Sequence, residues 1–88
     1  MPNDELKVDV HYIAAKKPFK KDAAPSETVG QLKADALNAF TLVETSEKVY
    51  KLFFEKRELD NMSETLGQLA GDKNHLKFDL EEFLVQGN

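Results

Sequence analysis

At 88 residues the chain has room for one domain with a modest core. With 41% hydrophobic and 32% charged residues it lies in the ordinary globular range, which argues against disorder. A net charge of −4 argues against nucleic acid as a partner, because neutralising phosphate takes clustered Lys and Arg.

Cysteine is absent, which removes disulfides, thiolate nucleophiles and most structural zinc sites. This fits a reducing compartment. The stretch Met1 to Lys7 is polar and acidic, unlike a secretory signal, and the apolar runs are too short to span a bilayer. A cytoplasmic location without membrane attachment is expected.

Leu6, Val8, Val10 and Tyr12 alternate with Lys7, Asp9 and His11, the period of a half-buried strand. Ala14 to Lys17 reads as a turn. Pro18 to Ala24 reads as a polar edge strand, where proline is tolerated and lysines discourage sheet-to-sheet association. Thr28 with Gln31 forms a capping-box pattern. After it, Val29, Leu32, Ala36, Leu37 and Phe40 fall at helical spacing, so an amphipathic helix is expected to lie on a sheet. Gly30 reads as a weak point in its first turn.

Leu42 to Glu47 is a connection. Val49 to Leu59 reads as a strand with Tyr50, Leu52 and Phe54 on one face and Lys51, Phe53 and Glu55 on the other. Lys56-Arg57-Glu58 is expected to turn, with Leu59 opening a short fourth strand. Ser63 or Thr65 is expected to cap a short helical turn bearing Leu66 and Leu69, closed by Gly71. Leu76, Phe78 and Leu80 mark the last strand. The domain is expected over residues 1–80 with a tail over 81–88, and no internal repeat is read. The fold class is α+β: a mixed sheet of four to five strands packed on one amphipathic helix.

Three stretches carry a family resemblance. Pro25-Ser26-Glu27-Thr28-Val29-Gly30-Gln31-Leu32-Lys33-Ala34 resembles the helix start of the ubiquitin-like β-grasp family. Tyr50-Lys51-Leu52-Phe53-Phe54 with Lys56 and Leu59 is similar to its third strand. Ser63 to Leu69 with His75-Leu76-Lys77-Phe78 is similar to its closing loop and fifth strand. The resemblance runs from Leu6 to Leu80, with a divergent, bacterial ubiquitin-like protein as the expectation. It implies partners that are other proteins, including an activating enzyme or a processing peptidase, with a monomer expected.

The same resemblance puts Phe53 at the centre of an apolar binding patch on the open sheet face, with Lys51, His75 and Lys77 around it. Asp79 stands where a second apolar member would be. Conjugated relatives end in a slender Gly-Gly, whereas this sequence reads Glu81-Glu82-Phe83-Leu84-Val85-Gln86-Gly87-Asn88. Gly87 is the conjugation candidate, exposed if Asn88 is trimmed, since glycine threads a narrow channel. Phe83, Leu84 and Val85 read either as an extension of the last strand or as an exposed anchor. A non-covalent adaptor or small subunit is the alternative to a modifier.

Lys16, Lys17, Lys20 and Lys21 form a basic cluster that reads as solubilising. His11 and His75 are two potential ligands without a third, so no metal is expected. No nucleophile has a recognisable base beside it and no Gly-rich phosphate loop is present. No cofactor and no enzymatic activity are expected.

Overall fold

The computed structural model describes residues 5–85. Its elements in chain order are β1 (Leu6–Tyr12), β2 (Phe19–Ala23), α1 (Val29–Ala39), β3 (Lys48–Phe54), β4 (Arg57–Glu58), α2 (Leu66–Ala70) and β5 (His75–Leu84). They form one five-stranded sheet in the order β2-β1-β5-β3-β4. The central pair β1–β5 is parallel, and the other pairs are antiparallel. No helix among the described residues is long and apolar enough to cross a membrane.

Strand alternation sets the two faces of the sheet. Leu6, Val8 and Val10 of β1, Tyr50, Leu52 and Phe54 of β3, and Leu76, Phe78 and Leu80 of β5 are all buried in one cluster with Val29, Leu32 and Ala36 of α1. The helical stripe expected from spacing is therefore the one that packs. Tyr12, Phe19, Leu37 and Phe40 close the end of the core, with the Tyr12 and Phe40 rings 5.5 Å apart and those of Phe19 and Phe40 6.4 Å apart.

The two helix starts cap each other. Thr28 accepts from the Gln31 N–H at 3.1 Å and Thr65 accepts from the Gln68 N–H at 3.2 Å. The Gln68 side chain reaches back to the Thr65 N–H, completing a capping box. Gln31 instead donates to Asp35 at 3.0 Å, so only half of the box expected at Thr28 forms. Across the gap, Val29 N–H donates to Glu64 C=O and Leu66 N–H to Glu27 C=O, each at 2.8 Å. Gly30 N–H bonds Met62 C=O at 2.9 Å, and Gly67 N–H bonds Pro25 C=O at 2.8 Å. Donors that helix starts leave without partners are thus satisfied by the chain leading into the other helix.

This arrangement gives Gly30, inside the first turn of α1, a packing reason that helix propensity does not supply. A Cβ there would lie 3.2 Å from both the Cβ and carbonyl oxygen of Met62, so the glycine permits the close approach. Gly67 is tighter still, with a Cβ falling 2.9 Å from Pro25 Cβ and 3.0 Å from its carbonyl oxygen. Gly67→Ala is expected to lose roughly 1–3 kcal/mol by overpacking, even though alanine is favoured over glycine in a helix by about 1 kcal/mol. Urea denaturation checks this, and a variant as stable as the parent would show that Pro25 yields freely.

Two other element bounds differ from expectation. The β3–β4 turn falls on Glu55 and Lys56, whose φ values of 52° and 68° supply the left-handed pair that a tight hairpin needs. Arg57–Glu58 is consequently β4, not turn, and Leu59 follows it as a core residue whose N–H donates to Leu52 C=O at 2.8 Å. At the other end, β5 runs past Leu80 to Leu84. Glu81 to Leu84 pair with Lys51 to Lys48, and Val85 N–H donates to Glu47 C=O at 2.7 Å. Extension of the strand, one of the two readings of Phe83 and Leu84, is the observed one.

Candidate functional site: the open sheet face

The helix covers one face of the sheet and leaves the other open. On the open side β3 places Val49, Lys51 and Phe53, and β5 places His75, Lys77, Asp79, Glu81 and Phe83. The first strand adds Lys7, Asp9 and His11. Phe53 is half-buried opposite Asp79, and Val49 lies directly opposite Phe83. The Phe53 and Phe83 rings stand 6.2 Å apart. Lys51 Nζ sits 5.0 Å over the Phe83 ring and 3.4 Å from Glu58. Val49, Phe53 and Phe83, topped by this cation, form a small aromatic ridge.

The structure thus brings Lys51 and Phe53 together and separates His75 from them. Lys77 lies on the same face opposite Asp9, and His75 lies further along β5 opposite Lys7. His75 Nε2 is 3.0 Å from Asp9 Oδ2. Asp9 is the one buried charged residue among those described, at 9% exposure. His75 therefore holds a sheet carboxylate and does not frame Phe53. His11 is opposite Asp79, away from His75, because β1 and β5 run parallel. No group of three metal-ligating side chains occurs among the described residues. Gly87 lies outside the described residues.

Sequence reading missed Val49 and Phe83 as members of the ridge. The available signal was parity, since Val49 shares a face with Lys51 and Phe53, but Phe83 joins only through the β3–β5 register.

The basic cluster is also split by parity. Lys16, Lys17 and Lys20 are exposed, whereas Lys21 turns to the helix side. Its Nζ lies 2.8 and 3.0 Å from the two Glu27 carboxylate oxygens and 2.6 Å from Asp35 Oδ2. Burial opposes the Lys21 charge, but its bonds to Asp35 and Glu27 outweigh that and raise its pKa above the ordinary value. The Lys21 bond lowers that of Asp35 against burial, with Gln31 assisting. Glu44 is lowered first by the Tyr50 N–H it accepts at 2.8 Å, then, against burial, by Lys33 at 3.1 Å. These groups tie β2, α1 and the start of β3 together on the helix side of the sheet.

A mixed sheet with a parallel central pair, one main helix across it and an open face bearing an aromatic ridge defines the β-grasp class. No family model and no curated protein sequence matches the chain. Solved structures do. The ubiquitin of Caldiarchaeum subterraneum superposes with a TM-score of 0.75 at 25% identity, over 94% of this chain and 99% of that one. The UBL domain of a yeast protein superposes with a TM-score of 0.70 at 13% identity, over 99% of each chain. ATBAG1, solved in complex with HSP70, superposes with a TM-score of 0.63 at 21% identity, over 85% of this chain and 38% of that one. The chain is a divergent ubiquitin-like protein of β-grasp fold.

Proposed function

We propose that the chain works as a non-covalent docking domain, with a partner protein lying on the open sheet face over Phe53, Phe83 and Lys51. The observation that carries this reading is the course of β5 through Phe83 to Leu84. Segments that conjugated relatives keep slender are here paired to β3 and packed on Phe53. An aromatic pair beneath a cation suits an interface centre, where a few such side chains dominate binding energy. The role requires no catalysis and suits a cytoplasmic adaptor or small subunit.

The likeness to an archaeal ubiquitin favours a second reading, a modifier or carrier joined through Gly87 with the help of an activating enzyme or a trimming peptidase. Intact mass analysis of the protein isolated from its native cells under denaturing conditions separates the two. The docking reading expects free, unmodified chains, and it expects Phe53→Ala to weaken the native complex by roughly 10- to 100-fold, the scale of an interface anchor. Gly87 found in linkage to a lysine or thiol, or a complex indifferent to Phe53→Ala, would overturn it.

A further inference from the structure

Sheet pairing leaves a notch beside the end of β5. β1 stops at Tyr12, opposite Leu80, while β5 continues to Leu84 with only β3 beside it. The notch encloses about 850 Å³ and is lined by His11, Ile13, Asp79, Leu80, Glu81 and Glu82 among others.

Backbone alternation decides which groups face into it. Leu59 N–H bonds Leu52 C=O, so Leu52 points toward β4 and Lys51 toward β5. Glu81 and Phe83, opposite Lys51 and Val49, therefore use their backbone groups on β3. Lys7 N–H bonds Asn74 C=O, which puts the even-numbered positions of β5 on the β1 side. Past Leu80 those positions are Glu82 and Leu84, and no backbone partner meets them among the described residues. An uncapped ladder of this kind is a template for another strand.

The side chains around the notch specify its occupant. Asp79 and Glu81 make no ion pair among the described residues, because Lys51 turns to Glu58. Glu82 accepts from the Tyr12 hydroxyl at 3.2 Å and from the Tyr50 hydroxyl at 3.5 Å. Beside these acids, Ile13 is 97% exposed and Leu84 is 72% exposed.

We propose that an extended segment of another protein, alternating Lys or Arg with apolar residues, adds to the sheet as a strand along Glu82 and Leu84, in the place β1 vacates. Its cations meet Asp79 and Glu81 on the open face, and its apolar side chains meet Tyr12 and Leu84 on the helix side. Backbone pairing supplies affinity, and the alternation supplies selectivity. This surface borders the Phe53 ridge, since Asp79 lies opposite Phe53 and Glu81 opposite Lys51, but it is built on the outward backbone groups of Glu82 and Leu84 and does not depend on the ridge.

The probe is a short end-blocked peptide of alternating lysine and valine, titrated into the isotopically labelled chain with amide exchange and chemical shifts as readouts. Protection should appear at the Glu82 and Leu84 amides, with shifts at His11 and Ile13. D79K combined with E81K should weaken the peptide roughly tenfold, as two attractive charge pairs become repulsive. Leu84→Pro should abolish protection, because it deletes the outward N–H while sparing the ladder to β3, and a thermal melt confirms that it folds. Phe53→Ala should leave the peptide bound, which separates this site from the face reading. Equal binding of a glutamate–valine peptide or shifts confined to another surface would overturn the proposal. So would protection of Glu82 and Leu84 that rises with protein concentration alone, because a second copy would then be the occupant.

Discussion

Phe78→Ala is expected to remove about 3–5 kcal/mol of folding stability, the range for deleting a buried aromatic ring. Phe78 is 1% exposed on the central strand, opposite Val10 on one side and Phe54 on the other, with the Phe54 ring 5.3 Å away. Its loss opens a cavity between sheet and α1 and ends an aromatic pair worth roughly 1 kcal/mol beyond its area. Domains of this size hold only about 5–10 kcal/mol in all, so the variant should sit near the edge of unfolding. Phe78→Leu keeps most of the volume and should cost far less. Urea denaturation with an unchanged m-value would measure both, and a loss below about 1.5 kcal/mol for alanine would mean that the core collapses to fill the site.

Lys21→Met should lose about 2 kcal/mol near neutral pH, between the values for exposed and buried ion pairs. The methionine keeps the stem packed but leaves Glu27 and Asp35 facing each other without the ammonium that joins them. The loss should depend on pH with a definite sign. Lys21 holds the Asp35 carboxyl below its ordinary value of 3.8, so the bridge contributes stability above that pH and loses it as pH falls through the folded value. Glu44 behaves with the same sign in both proteins and cancels from the comparison. At the alkaline end, Lys21 titrates above its ordinary 10.5, so its contribution persists up to about that pH and fades beyond it. The gap between parent and variant should be widest between about pH 5 and 10 and should narrow toward about pH 3. An equal gap at acid and neutral pH would mean that Lys21 acts through packing and not charge.

Periodicity carried most of the fold because burial follows it closely. Alternation in β1 and β5 and the stripe Val29-Leu32-Ala36 in α1 mark the residues that the core contains. Turn chemistry was harder to read. Glu55 and Lys56 adopt positive φ without a glycine or asparagine to announce it, so the turn was expected one residue late. The paired helix starts do carry a signal in the sequence: Glu27-Thr28-Val29-Gly30-Gln31-Leu32 and Glu64-Thr65-Leu66-Gly67-Gln68-Leu69 differ only at Val29 and Leu66. That short repeat marks two caps that satisfy one another, with a glycine in each where the partner chain crosses.

The candidate surfaces were less legible than the scaffold. Phe53 and Lys51 could be placed on the open face from alternation within β3 alone. Phe83 could not, because its position depends on how far β5 continues and in which register it meets β3. Lys21 looked like a fourth surface lysine, and only its place on the helix side of β2 gives it Glu27 and Asp35 as partners. The sequence by itself determined the main elements and their core faces, since these rest on local periodicity and caps, while the ubiquitin-like class came from the resemblance of three stretches to that family. The tertiary structure alone decided the aromatic ridge, the Asp9–His75 pair and the open edge at Glu82 and Leu84. Each of those depends on which strand lies beside which and where the neighbour stops, and local pattern carries no record of a register between strands far apart in the chain.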